Sequence, residues 1–424
     1  MDGCGIGRSG SRAFRWTEDD AGCGGARPRS GVDRRWRGRW DSSRAIDTTV
    51  TITPDTVLID GFVTKPDASV GRGERRHEVI RLFDRETGTP GALIEHPDGE
   101  PFEGLGDAIA ANDQFIITAL SGKAQFGRDG ELLVYDANTR KLLRRIKNPR
   151  DGYGTYFGGT GVAISGERIL AAVPQTKDNA STAWVFSAKT GETLLTIPEP
   201  DMPDPALGKP RRTALGRNLA MNSNHIAIMS NGRKGPGGLS ARGIVYVFDA
   251  RDGAVLHRLR SPGSQKASQF GSTLAMSDTL LYVGELEETG SIKWPSGIVH
   301  AFDLKSGKRL FSLADPGTPK TFEDVGADKE GWGFPTDLSA EGRYLISGLP
   351  DWSGPKKKQG SLIIFDARTG KHLLTYGHAT GEEYGRFGKA ISANDGHLAV
   401  MQEIRNGGPG ALQLIPYRFD EDAE

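Results

Sequence analysis

Eight histidines are scattered along the chain, at positions 77, 96, 225, 257, 300, 372, 378 and 397. A metal site built on imidazole needs a spacing such as His-x-x-x-His, which places two rings on one face, and no pair here has it. His300 sits in the middle of an apolar run and reads as a packed or rim histidine rather than a ligand. Asp84, Asp136, Asp249, Asp303 and Asp366 recur in one sequence context and could be imagined as a ring of carboxylates. Turn capping explains them more simply, because an Asp side chain accepts hydrogen bonds from backbone amides two residues on. Ser187 stands in the same column, and a serine caps a turn but makes a poor metal ligand. A calcium loop of the form Asp-x-Asp-x-Asp-Gly is absent. Asp324 and Asp328 come nearest, and without the alternation they read as a solvated acidic loop. There is no Gly-x-Ser-x-Gly elbow, no Walker loop and no Ser-x-Asp-x-Gly-x-x-Trp box. Spacing therefore names no nucleophile–base pair, no cofactor is expected, and calcium is not supported.

Residues suited to binding are cationic or aromatic and lie in long irregular segments. They are Arg211 and Arg212, Arg233 and Lys234, Trp294, Trp352, and the run Lys356, Lys357, Lys358. Such a set could hold an acidic peptide or a glycan, although a short lysine run on a loop is otherwise simply solvated. Lys+Arg and Asp+Glu both total 54. A neutral chain is a poor match for nucleic acid or an anionic membrane, both of which reward a basic excess. No stretch approaches the roughly 20 apolar residues of a spanning helix, so no transmembrane segment is expected.

The elements that must position these residues come from a repeat. An apolar strand ending in an aromatic and a turn appears as Glu78–Asp84, Glu131–Asp136, Thr182–Ser187, Ile244–Asp249, Ile298–Asp303 and Leu362–Asp366, with a weaker seventh copy at Ala411–Pro416. After the turn residue usually comes Thr-Gly or Ser-Gly and a second short apolar run, which makes a tight hairpin. Unit two has Thr139-Arg140 instead, so a different turn is expected there. A second hairpin precedes each aromatic strand, as in Val162–Ser165 with Ile169–Ala172. Four short strands per ~50 residues, repeated radially, form a ring that leaves only short protected sheet edges. The fold expected is all-β: a seven-bladed β-propeller of four-stranded antiparallel blades over residues 46–420. The last unit lacks a clear fourth strand, and residues around 40–47 are expected to supply it.

Residues 1–45 hold ten Arg, nine Gly, six acidic residues and three Trp without hydrophobic periodicity. They read as a disordered Gly/Arg-rich tail or a mis-assigned start, and 421–424 as an acidic tail. Both cysteines, Cys4 and Cys23, fall in that first segment, so neither a disulfide nor a Cys-based zinc site can hold the ring. No signal peptide is present in this sequence.

Before most first strands stands an aromatic or Leu followed by Gly: Leu105-Gly106, Phe157-Gly158, Leu215-Gly216, Phe270-Gly271, Trp332-Gly333 and Phe387-Gly388. With Ser347-Gly-Leu-Pro350 and Ala172-Val-Pro174 this resembles the FG-GAP repeat, the propeller unit of integrin α-chains and many bacterial proteins. That resemblance implies the fold and an extracytoplasmic setting. The Phe-Asp-x-x-Thr-Gly-x-x-Leu segment is also similar to repeats of pyrroloquinoline-quinone propellers, which carry an interlocking Trp where this chain has Leu194, Leu256, Leu310 and Leu373. Function is expected to be non-enzymatic: a recognition or scaffold propeller binding a protein or glycan through its long-loop face. The alternative is a propeller enzyme (hydrolase, lyase or quinone-dependent) with its site at the central channel mouth.

Overall fold

The computed structural model describes residues 34–37, 49–66, 74–99, 104–120, 130–149, 157–159, 161–173, 181–200, 202–203, 210–211, 214–231, 243–262, 268–287, 297–316, 334–351, 359–377, 385–402 and 411–417. They form seven four-stranded antiparallel sheets and one two-stranded hairpin, with no helix among them. Blade one runs Val50–Ile52, Thr56–Pro66, Glu74–Asp84 and Pro90–Glu95 from inside to outside. Blade two runs Leu105–Ala111, Phe115–Leu120, Glu131–Asp136 and Leu142–Lys147. Blades three to six repeat this order, and their third strands are Thr182–Ser187, Ile244–Asp249, Gly297–Asp303 and Ser361–Asp366.

The alternation of burial follows from radial stacking. A third strand has a blade on each side, so both faces are buried, and Ile244–Asp249 is closed to solvent at every position but the last. An outermost strand such as Val255–Arg260 is covered only where it leans on its neighbour. The apolar clusters accordingly lie between blades: Ile80, Leu82 and Leu58 of blade one pack with Leu105, Ile116 and Leu133 of blade two.

The seven innermost strands touch in sequence, and Val50–Ile52 meets Phe387–Asn394, so the sheets close into a ring. Ile52 N donates to Ser392 Oγ across that junction at 3.2 Å. The fourth strand of blade seven is Arg34–Arg37, antiparallel to Ala411–Pro416 with Arg34 opposite Leu414 and Arg37 opposite Ala411. Closure by an N-terminal strand is as expected. Its position is corrected from 40–47 to 34–37, inside the stretch read as a disordered tail. The register sets Arg34 to Arg37 along the outer edge of Ala411–Leu414.

The aromatic-Gly column has a physical basis. Phe157, Phe270 and Phe387 have no exposed surface. Gly271, next to Phe270, has φ of 90°, a left-handed conformation that glycine adopts at no steric cost. The first strand then shifts register between Phe270 and Leu274. In blade six this place is taken by Phe334-Pro335, not by Trp332-Gly333: Phe334 is the buried aromatic, with its ring 6.4 Å from that of Phe365. A second glycine column faces the first. A Cβ on Gly243 would lie 1.8 Å from the carbonyl oxygen of Phe270, and one on Gly297 1.9 Å from that of Phe334.

One further point corrects the sequence reading. The turn of unit two does not differ: Arg140 N donates to Asp136 O at 2.9 Å, as Gly191 N does to Ser187 O at 2.8 Å, and Arg140 takes φ of 61°. Its guanidinium also donates to Thr56 Oγ1 of blade one at 2.8 Å. Turn glycines are seated on the preceding blade's outer strand. Gly307 sits on the His257 ring, and Gly370 on Phe311 and Leu313. Leu194, Leu256 and Leu310 are exposed.

Candidate functional site

The two faces of the ring differ in how their polar groups are used. On one face every connection is a tight turn. Asp84 accepts from Thr87 N at 2.5 Å, Asp136 from Thr139 N at 2.6 Å, Asp303 from Ser306 N at 2.7 Å and Asp366 from Thr369 N at 2.8 Å. Ser187 Oγ does the same for Thr190 N. Arg251 donates to Asp249 through its side chain and its backbone, which holds that carboxyl down to about 2. The carboxylate series is therefore a set of caps.

The other face carries the connections between second and third strands and between blades. Of the binding candidates, Arg211 lies in the hairpin Met202–Pro203 with Pro210–Arg211. Arg212, Arg233, Lys234, Trp294, Trp352, Lys356, Lys357 and Lys358 lie outside the described residues, as do Asp324 and Asp328. What the structure does describe are the feet of these connections. The 352–358 segment leaves Asp351 and returns at Gln359, and both feet are tied to the start of blade seven. Arg386 Nε lies 3.1 Å from Asp351 Oδ1, both side chains being largely buried, and Phe387 N donates to Gln359 O at 3.1 Å. The 232–242 and 288–296 connections rise from the ends of His225–Asn231 and Leu280–Glu287 on the same face. Antiparallel alternation brings all these feet to one side of the ring.

Further carboxylates grip the scaffold on this side. Glu78 Oε2 accepts from Gly104 N at 2.6 Å and Leu105 N at 3.0 Å, which fixes the chain as it enters blade two. Between blades four and five lies a hydrogen-bonded chain. His300 Nε2 is 2.8 Å from Glu285 Oε2, and His300 Nδ1 is 2.8 Å from Ser312 Oγ. One tautomer satisfies both contacts, with Nε2–H donating to the carboxylate and Nδ1 accepting the hydroxyl. The side chains of His300 and Glu285 are 4% and 5% exposed, whereas Ser312 is on the open outer strand and also accepts from Arg309 Nη1 at 3.2 Å. Burial opposes the charge of Glu285, but the bonds from His300 and Ser261 outweigh it and lower its pKa. The imidazole is wedged between Phe270 and Phe302 at centroid distances of 6.0 and 6.4 Å. His300 is thus packed, as its apolar setting suggested. Its partner lies across the loop of the hairpin, so nothing in sequence spacing marks the pair.

Around the axis, inner strands are stitched by short polar side chains. Thr51 Oγ1 donates to Ile109 O, and Asn218 Nδ2 to Gly271 O and Ser272 O. Asp337 accepts from Leu338 N and, in the next blade, from Ile391 N, both at 2.9 Å. Burial pushes its carboxyl up to about 6. The seven inner strands contain no histidine.

Among the described residues, blade one departs from the common outline. Its second and third strands are eleven residues each, where the other blades use six to eight. The register runs unbroken from Thr56 opposite Asp84 to Pro66 opposite Glu74, so a hairpin arm stands above the long-loop face.

No protein-family model matches the chain, and no curated protein does. A solved structure named "Kuenenia stuttgartiensis Hydrazine Synthase" is similar, at 12% identity and TM-score 0.50, over 88% of this chain and 96% of that one. The likeness is one of fold: this chain is a seven-bladed β-propeller.

Proposed function

We propose that the ring is a non-enzymatic recognition or scaffold module that binds a protein or a glycan through its long-loop face. The contrast between the two faces supports this. On the turn face the polar side chains are spent on capping, whereas on the other Asp351 and Arg386 hold the foot of the connection that contains Trp352 and Lys356, Lys357 and Lys358. Rigid feet under long loops are how a scaffold presents binding residues. The test is affinity capture and a glycan array with the full chain, repeated after shortening 231–241 and 351–359. Loss of the captured ligand on shortening either loop is expected, and capture unaffected by both would end the proposal. Arg386→Ala strips a buried carboxylate of its partner and should weaken capture through the 352–358 loop while leaving capture through 232–242 intact.

A second reading, an enzyme, has one observation in its favour. The chain Ser312–His300–Glu285 has the connectivity of an activated nucleophile, although it lies on the outer rim rather than at the channel mouth. A fluorophosphonate probe tests it: Ser312 Oγ would attack phosphorus, fluoride would leave, and the hydroxyl proton would pass to His300 Nδ1. No adduct on Ser312 rules the reading out.

A further inference from the structure

The fourth strand of blade seven is held differently from the other six. In blades one to six the third strand passes into the fourth through a turn closed by a backbone bond, such as Asp249 N to Ala254 O at 2.8 Å. Each of those fourth strands is six residues long. Arg34–Arg37 has four residues, comes from the other end of the chain and is joined to its own ring through residues 38–49. Ladder pairing, not a covalent turn, keeps it against Ala411–Pro416.

The register shows that the segment is suited to this edge. Trp36 stands opposite Leu412. In blades one to five the residue at the same row of the fourth strand is Ile94, Ile146, Ile197, Leu259 or Leu313, each the buried residue of its strand. An apolar residue is thus supplied at the row that the repeat requires. The next row is less well matched. Gln413, opposite Arg35, is 3% exposed, and neither its Nε2 nor its Oε1 has a hydrogen-bond partner among the described residues. In blade five that row holds His300 opposite Ser312, and the ring nitrogen meets the hydroxyl at 2.8 Å. A buried amide without a partner weighs against the closed arrangement, since opening the edge readmits water to it.

A strand that fits its place but is held there by pairing is exchangeable. Residues 38–49 have a contour length of roughly 40 Å at ~3.3 Å per residue. The three strand spacings from rim to inner strand of a blade amount to about 14 Å. The chain is therefore long enough for Arg34–Arg37 to reach the edge of a second ring. We propose that Arg34–Arg37 exchanges between copies, so that the outer edge of Ala411–Leu414 is a docking surface for the same strand of a second copy of this chain. The strand makes the same pairings in both arrangements, and protein concentration sets the balance between them. The inference goes beyond the recognition reading and does not depend on it.

The test uses full-length C4S/C23S protein, in which engineered thiols are the only ones. R35C/Q413C at high dilution should close a disulfide within one chain, which reports the register. R35C chains mixed with Q413C chains, incubated concentrated and oxidised with diamide, should give a cross-linked heterodimer on non-reducing gels. Its yield should rise with protein concentration. R35C mixed with K141C, whose thiol lies on a turn of blade two, gives the collisional background, which the facing pair should exceed at least about tenfold. R35C/W36D in place of R35C should lower the heterodimer about tenfold, the change expected from losing an apolar side chain at that row. R37C with A411C, a second facing pair, serves if Q413C does not fold. No heterodimer above the K141C background, or a yield indifferent to W36D, overturns the proposal. So does failure of both facing pairs to close within one chain.

Discussion

Glu285 and His300 form a buried pair whose partners can be removed singly or together, and the same chain supplies the double replacement. By register, Glu285 stands opposite Phe270 and Ile298, as Gln402 stands opposite Phe387 and Ala411. His300 opposite Val283 corresponds to Gln413 opposite Val400. Blade seven thus carries two glutamines at the places where blade five carries the hydrogen-bonded pair. Glu285→Gln leaves the buried imidazole without its carboxylate, and His300→Gln leaves the carboxylate without its imidazole. Removing one member of a buried pair costs about 3–5 kcal/mol. At an unfolding entropy of about 2.1 cal/mol/K per residue, a ring of this size should lose about 4–6 °C in Tm. The double variant E285Q/H300Q should recover at least about 2 kcal/mol of the summed single losses, because two neutral amides of similar size replace the pair. Differential scanning calorimetry of the four proteins, with a chemical-denaturation cycle, measures the coupling. Additive single losses would refute the argument, since they would mean that the two groups do not depend on each other.

Removal of residues 1–38 takes away Arg34–Arg37 and should cost about 1–3 kcal/mol, from a few ladder hydrogen bonds at ~1 kcal/mol each. Faster hydrogen exchange at Ala411–Pro416 would report it, and removal of residues 1–30 should change neither quantity. For Asp337 the folded pKa of about 6 lies above the ordinary carboxyl value, so the native state holds the proton more tightly. Stability from this group is therefore greatest below about pH 4 and falls by about 3 kcal/mol as pH rises through about 6. In D337N that slope should vanish, and denaturation midpoints at pH 4, 5, 6 and 7 decide it. Gly243→Ala drives a Cβ into the Phe270 carbonyl and should cost about 3 kcal/mol or more. Gly166→Ala, with open space around it, should cost only the ~1–2 kcal/mol of its left-handed φ, as two thermal melts would show.

Much of the ring was legible in the residues because its signals are local. A third strand buried on both faces must be apolar throughout, and a tight turn needs its Asp and Gly within five residues, so Ile244–Asp249 and its turn announce themselves. The capping role of the Asp series was readable for the same reason. The buried aromatic at blade starts was legible too, except where Pro335 replaced the usual glycine and Trp332-Gly333 offered a false match. What sequence could not give were contacts between segments far apart in the chain. The closing strand reaches Ala411–Leu414 from the other end of the chain, and no periodicity in Arg-Arg-Trp-Arg signals it. Glu285 with His300, Asp351 with Arg386 and Glu78 with the blade-two amides are pairings across loops or between blades, where only folding sets the distance. The long-loop face itself is of mixed origin. Composition marked its loops, but only the antiparallel register places their feet on one side of the ring and lifts the arm of blade one above it.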